Sequence, residues 1–183
     1  MPPLTADQDG VVAATYTTDH ELLSAVLRPY WVHCQYLKTA VVEVGRDDEP
    51  TVAGDFEIGE SCYINETGHF NAVEFNICYN QLAYYLIAKS VKEGLLPALR
   101  NWTLEDFWRL QLPDILIVDF RSSFKRKMRG KSFSGSVSVT DVVCLQKSDC
   151  WNSLIVLYTS CLFWDEPGGL ATGKVTLAIT NPA

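Results

Sequence analysis

His69, Asn71, Glu74 and Asn80 fall within one short stretch, HFNAVEFNICYN, and are the residues whose types and spacing could do chemistry. An imidazole with its ordinary pKa of about 6.5 and a carboxylate are both proton acceptors near neutral pH. Asn71 followed three residues later by Glu74 is a helix-start capping signature. The N–H groups at such a start are fixed donors with the positive end of the helix dipole behind them, which suits a negatively charged oxygen. Asn80 stands among apolar residues, where a buried amide must find partners. Ordinary roles stay open for each: capping for Asn71, capping or pairing with a base for Glu74, a backbone hydrogen bond for His69.

The element that must position them runs from His69 to Glu93 and is expected to be a helix of about six turns. Val73, Phe75, Ile77, Tyr79, Leu82, Leu86, Ile87 and Val91 put apolar side chains all round it, so it is expected to be buried inside protein with something wrapped around it. Glu74, Asn76, Asn80 and Gln81 interrupt it well before the roughly 20 apolar residues of a membrane span. At about 100° per residue, Glu74 and Gln81 share a face with Cys78, while Asn76 and Asn80 share another. Asn71 and Asn80 can border one pocket only if Asn71 lies outside the helix as its cap; otherwise they line different ends or different subunits' sites.

Around that helix the chain reads as a short helix from Asp19 to Leu27, capped by Asp19 and stopped by Pro29. A strand-like run follows from Trp31 to Val44, returned by the charged turn GRDDEP. Thr51 to Ile58 then alternates, with Val52, Phe56 and Ile58 on one face. A polar loop, 59–70, enters the long helix, and Gly94 ends it. Thr103 to Arg109 has a short capped look, TLED, and Pro113 precedes an extended run from Ile115 to Phe124. Phe133, Val137 and Val139, then Leu154 to Trp164, then Ala171, Val175, Leu177 and Ile179 complete the strands. The pattern is α+β: a curved antiparallel sheet of about six strands against one long central helix. Residues 19–183 form a single domain, and 1–18 are expected to be a loose arm.

With 183 residues, 48% of them apolar and 20% charged, the composition is that of a globular domain with a proper core. The net charge of -7 disfavours nonspecific nucleic-acid binding, which needs a broad basic face. The opening MPPLTADQDG has neither a basic n-region nor an apolar core, so a cytoplasmic location is expected. Cysteines 34, 62, 78, 144, 150 and 161 are scattered without a CxxC and are expected to be reduced, mostly core residues. Histidines 20, 33 and 69 lie in no metal-ligand spacing. A GxSxG elbow, a phosphate loop and a dinucleotide fingerprint are absent from the sequence. No metal and no bound cofactor are expected.

GESCYINETGHFNAVEFNICYNQLAYY, with RPYW before it and FWDEPGGLATGKVTLA near the end, resembles the FcoT-like family of acyl-thioester enzymes. The resemblance covers nearly the whole chain beyond the arm. It implies the hot-dog fold, in which a curved sheet wraps one long helix, and assembly as a homo-oligomer, dimeric or higher. It also implies work on fatty acyl chains carried as thioesters on the phosphopantetheine of an acyl carrier protein or on coenzyme A. Two activities are implied. One is addition of glycine across the double bond of a (2E)-enoyl carrier thioester, with release of the 3-(carboxymethylamino) acid, in isonitrile lipopeptide biosynthesis. The alternative is hydrolysis of long-chain acyl-CoA, and a third reading is a non-catalytic acyl-thioester binder.

The family's polar site residues match here as Tyr30, Tyr63, Asn71 and Asn80. On this resemblance the amides near Asn71 to Val73 hold the thioester oxygen, His69 or Glu74 is the base, and Tyr30 and Tyr63 donate hydrogen bonds without adding charge. Glycine's carboxylate needs a cation. Arg121 is the first candidate and Lys89 the second, each with a surface ion pair as its ordinary alternative. Val73 and Tyr84 are candidate acyl contacts, since a tunnel's depth would depend on how Tyr84, Tyr85 and Trp108 pack. Lys125, Arg126, Lys127 and Arg129, in a basic run that continues to Lys131, are either a solvated edge cluster or a dock for carrier-protein acids or coenzyme A phosphates.

Overall fold

A computed structural model of the chain describes residues 12–45, 49–65, 68–145 and 154–180. The elements in order are β1 (Ala14–Tyr16), α1 (His20–Leu27), β2 (Leu37–Val44), β3 (Pro50–Glu57), α2 (Ala72–Glu93), α3 (Leu104–Leu110), β4 (Ile115–Arg126), β5 (Ser132–Leu145), β6 (Leu154–Trp164) and β7 (Leu170–Thr180). One antiparallel sheet has the order β1-β2-β3-β5-β6-β7-β4. Register shifts at Val139/Asp141 and Ile117/Asp119 add local twist, and the sheet curves around α2 in the hot-dog arrangement.

Two expectations change along the first strands. Residues 14–16 are not loose: they pair with Val42 to Val44 as a seventh strand, because an edge of β2 would otherwise carry unpaired backbone groups. Residues 1–11 of the expected arm, and 46–48 of the expected charged turn, lie outside the described residues. The strand expected from Trp31 begins only at Leu37, since Val32–Cys34 is a turn of 3-10 helix. Elsewhere the patterns hold. Asp19 caps α1 by accepting from Leu22 N–H, and Thr103 with Asp106 forms a capping box on α3. Val52 and Phe56 of β3, and Phe133, Val137 and Val139 of β5, are buried on the helix side.

Asn71, with extended backbone angles, sets the start of α2 three residues later than expected, at Ala72. Phe70 before the cap packs on Phe75, ring centroids 5.9 Å apart, as a hydrophobic staple. Both rings sit in a cluster with Phe133 and Phe163 that fixes the helix start against β5 and β6. Gly94, at φ 68°, closes the other end through its N–H to Ser90 O, a conformation open to glycine at little cost. Within the helix, Tyr79 OH meets Thr159 Oγ1 at 2.8 Å, and the fully buried Gln81 reaches back to the start of β2.

The sheet does not enclose α2 all round. Phe75, Cys78, Tyr79, Leu82 and Leu86 are buried beneath it, whereas Val73, Asn76, Ile77, Asn80 and Tyr84 form a stripe that stays exposed or half-exposed. These five share one face at 100° per residue, so the apolar character that implied burial on every side is in part exposed surface. Of the cysteines, 34, 78 and 161 are buried, 62 is half-buried and 144 is exposed, all free; Cys150 lies outside the described residues.

Candidate functional site at the start of the long helix

Asn71 Oδ1 accepts from Val73 N–H at 2.9 Å and from Glu74 N–H at 3.2 Å, while Phe75 N–H bonds Asn71 O at 2.9 Å. The Asn71 backbone amide in turn faces the Glu74 carboxyl, the reciprocal half of a capping box. Of the amides from Asn71 to Val73 expected to hold a substrate oxygen, that of Val73 is already engaged by the cap. Ala72 N–H is the first-turn donor that meets no acceptor among the described residues. Ala72 lines an open, mostly apolar cavity of about 450 Å³ with His69, Asn71, Phe124, Lys127 and Met128.

A second and smaller cavity, about 70 Å³, shares His69 with the first and is lined by Ser61, Asn65, Glu74, Arg129 and Lys131 among others. Glu74 is only 4% exposed. Burial pushes its carboxyl above the usual range, against the pull of the Ser61 hydroxyl, the Asn71 amide and side chain, and the His69 imidazole. Ser61 Oγ is itself buried and makes no hydrogen bond of ordinary geometry.

The basic loop is fastened to this place. Asp165, buried in the turn between β6 and β7, accepts from Arg129 N–H at 2.8 Å and Gly169 N–H at 2.6 Å. Phe70 N–H bonds Met128 O at 3.1 Å, and Ile58 N–H bonds Lys131 O at 2.9 Å. Gly130, at φ 78°, rests on the His69–Phe70 backbone; a Cβ there would come within 2.9 Å of Phe70 N.

Residues 25–179 match the family description "FcoT-like thioesterase domain". The chain belongs to that family. A protein of Streptomyces coeruleorubidus named "(2E)-enoyl-[ACP] glycyltransferase" is 48% identical over 165 residues, covering 90% of this chain and 98% of the relative. One of the same name from Mycobacterium marinum is 40% identical over 170 residues, covering 92% and 90%. Among solved structures, a mutant thioesterase of Pseudomonas aeruginosa superposes with a TM-score of 0.42 at 11% identity, over 90% of this chain and 96% of that one.

The candidate residues of this FcoT-like chain separate into three places. His69, Asn71 and Glu74 gather at the helix start. Tyr30, Asn80, Tyr84 and Val73 lie along α2: Tyr30 is half-buried with Tyr84 and Cys78 beside it, and Asn80 Nδ2 donates to Asn76 Oδ1 at 2.9 Å. Burial, with smaller contributions from Tyr84 and Cys78, raises the Tyr30 phenol well above its ordinary range, so it stays protonated and can serve as a hydrogen-bond donor. Tyr63 is 53% exposed on the loop before α2.

Arg121 and Lys89 stand apart from all three. Phe120 packs inward against Phe75, so its neighbour Arg121 points off the opposite face of β4, exposed and 3.2 Å from Asp119. Lys89 is buried near the far end of α2, about 25 Å from Ala72 along the axis, paired with Glu93 at 2.7 Å and 5.4 Å above the Tyr16 ring. Residue type made both attractive for a carboxylate, but strand alternation and helix length carry them elsewhere. Conversely, Ser61, Asp165 and Gln81 escaped the sequence: a loop serine, a turn aspartate and a helical glutamine carry no signal until the chain folds back on them.

Proposed function

We propose that this chain adds glycine to the β-carbon of a (2E)-enoyl group held as a thioester on an acyl carrier protein, then hydrolyses the thioester to release the 3-(carboxymethylamino) acid. The observation that carries the proposal is that His69 lines both an apolar cavity with a donor at Ala72 and a small polar cavity with a buried carboxylate at Glu74. The names of the relatives support the same reaction. The acyl group occupies the apolar side, and the developing enolate oxygen is held by Ala72 N–H and the positive end of α2. Hydrolysis of long-chain acyl-CoA is the second reading, favoured by the family's thioesterase description and by a carboxylate that can equally activate water.

One assay divides them. Crotonyl thioester on a carrier protein, incubated with glycine, is expected to gain the mass of glycine before free thiol appears. Thiol release that ignores glycine, with no mass gain, would overturn the first reading in favour of the second; neither signal would leave only a binding protein. Lys127 borders this site, and with its neighbours Lys125 and Arg126 it is proposed to meet the acidic face of the carrier, with Arg126 Nε anchored on Gly168 O at 2.6 Å. Run with Arg126→Glu, the same assay should slow severalfold on carrier substrate and not on a pantetheine thioester; equal slowing would remove the dock.

The uncovered stripe of α2 and the free edge of β4, where Leu116, Val118 and Phe124 are 41%, 60% and 44% exposed, are proposed to bury against a second copy. No helix among the described residues is long and apolar enough to cross a membrane, and a cytoplasmic homo-oligomer is proposed. Sedimentation should give at least twice the chain mass of 20.5 kDa, and a monomer would count against it.

A further inference from the structure

We infer that the cavity of about 70 Å³ walled by Ser61, Glu74 and Arg129 is a subsite for a small zwitterion, an α-amino acid whose ammonium faces Glu74 and whose carboxylate faces Arg129 and Lys131. The inference rests on the glycine-addition reading and assigns residues to it that the sequence put elsewhere. Arg129 belonged to a carrier dock, and Ser61 had no role.

Three observations converge on this cavity. Ser61 Oγ is buried and borders the cavity beside the Glu74 carboxyl, whose charge it favours, yet makes no hydrogen bond of ordinary geometry, so it can turn to a polar guest. Glu74, 4% exposed, borders it too, so a cation entering there meets a carboxylate with little solvent to screen it. Arg129 brings a planar, two-pronged donor suited to a carboxylate, and no carboxylate pairs with it among the described residues. Its backbone does not drift: Asp165 holds the Arg129 amide, and the flanking bonds Met128 O to Phe70 and Lys131 O to Ile58 tie the loop to both walls of the helix-start segment. The Glu74 carboxyl and the basic residues Arg129 and Lys131 thus border one small space. A space of about 70 Å³ suits an amino acid as small as glycine.

The chemistry balances without any further reagent. The glycine ammonium gives one proton to the Glu74 carboxylate, and its nitrogen lone pair forms the bond to the enoyl β-carbon. The C=C pair moves to the α-carbon and thioester oxygen as an enolate, and the proton held by Glu74 is returned to the α-carbon. The second nitrogen proton carried through the bond-forming step stays on the secondary ammonium of the product. Net, one N–H is added across the double bond and Glu74 is restored.

The test uses the full chain with an enoyl-pantetheine thioester, so that carrier contacts play no part. Arg129→Gln is expected to raise the KM for glycine at least tenfold while the KM for the enoyl thioester stays within twofold, and Arg129→Lys should recover part of the loss. In the wild type, alanine should be used at least tenfold less efficiently than glycine. An unchanged glycine KM in Arg129→Gln, equal rises in both KM values, or alanine used as well as glycine would overturn the subsite. Absence of any glycine adduct with the wild type would instead sink the addition reading itself, before a variant is made.

Discussion

Glu74→Gln is expected to lower glycine addition by about 10²-fold or more, the usual worth of a positioned acid–base group, while the protein melts at the same temperature or higher at neutral pH. The two effects have one cause. The Glu74 carboxyl is buried, and burial raises its pKa above the ordinary value of 4.5 in spite of the Ser61, Asn71 and His69 groups that favour its charge. A folded-state pKa above the unfolded one means that folding prefers the protonated acid. That stability is fully present below about pH 4.5 and is lost as pH rises through the folded value. Glutamine keeps an oxygen for the Asn71 amide, so the cap survives, but it removes the ionisation that the fold resists and the only function that requires it. The variant's advantage in thermal unfolding should therefore appear at pH 7.5 and vanish near pH 4. Retained activity, or a variant less stable than the wild type at pH 7.5, would contradict this account.

How much of this could be read beforehand depends on what kind of information fixes each residue. The caps were legible, because Asn71, Gly94, Asp19 and Thr103 each act on backbone within a few residues of themselves. The alternation in β3, β5 and β7 was legible for the same reason: which face is wet is a local property of a strand. Apolar residues around α2 were equally plain, but a sequence does not say which neighbour covers them, and the sheet covers only the side of Phe75, Tyr79 and Leu82. The site divided along the same line. Asn71 is legible as a cap, with His69 and Glu74 near it in sequence, but Asn80, which can share a pocket with Asn71 only on that condition, does not line the helix-start cavity even though the condition is met. The cation opposite them was sought by residue type, whereas it is set by a long-range bond, Asp165 to Arg129, 36 residues apart.

Gln81 shows the same point in energetic form, and Gln81→Met is expected to destabilise the fold by about 3 kcal/mol, from three buried hydrogen bonds whose partners are left unsatisfied. Its Oε1 accepts from Tyr36 N–H at 3.0 Å and Leu37 N–H at 2.9 Å, and its Nε2 donates to Cys34 O at 2.7 Å. These three backbone groups belong to the turn where the chain leaves Tyr30 and enters β2, so a single fully buried side chain joins that turn to the middle of α2. Methionine fills nearly the same volume and satisfies none of them. For a chain of this size the loss corresponds to a fall in melting temperature of about 6–12 °C, readable by thermal unfolding. A fall of less than about 2 °C would mean that water or a shifted backbone replaces the clamp. Gln81→Glu separates the donor from the acceptors: it preserves two bonds, turns the group facing Cys34 O into a second acceptor and buries a charge, so its deficit should deepen as pH rises through the buried carboxyl's pKa. The methionine variant, with nothing to titrate there, should show a deficit that does not deepen in that way. That difference identifies the Cys34 bond as the one that fixes which way the amide faces, and with it how the strand start is held behind Tyr30.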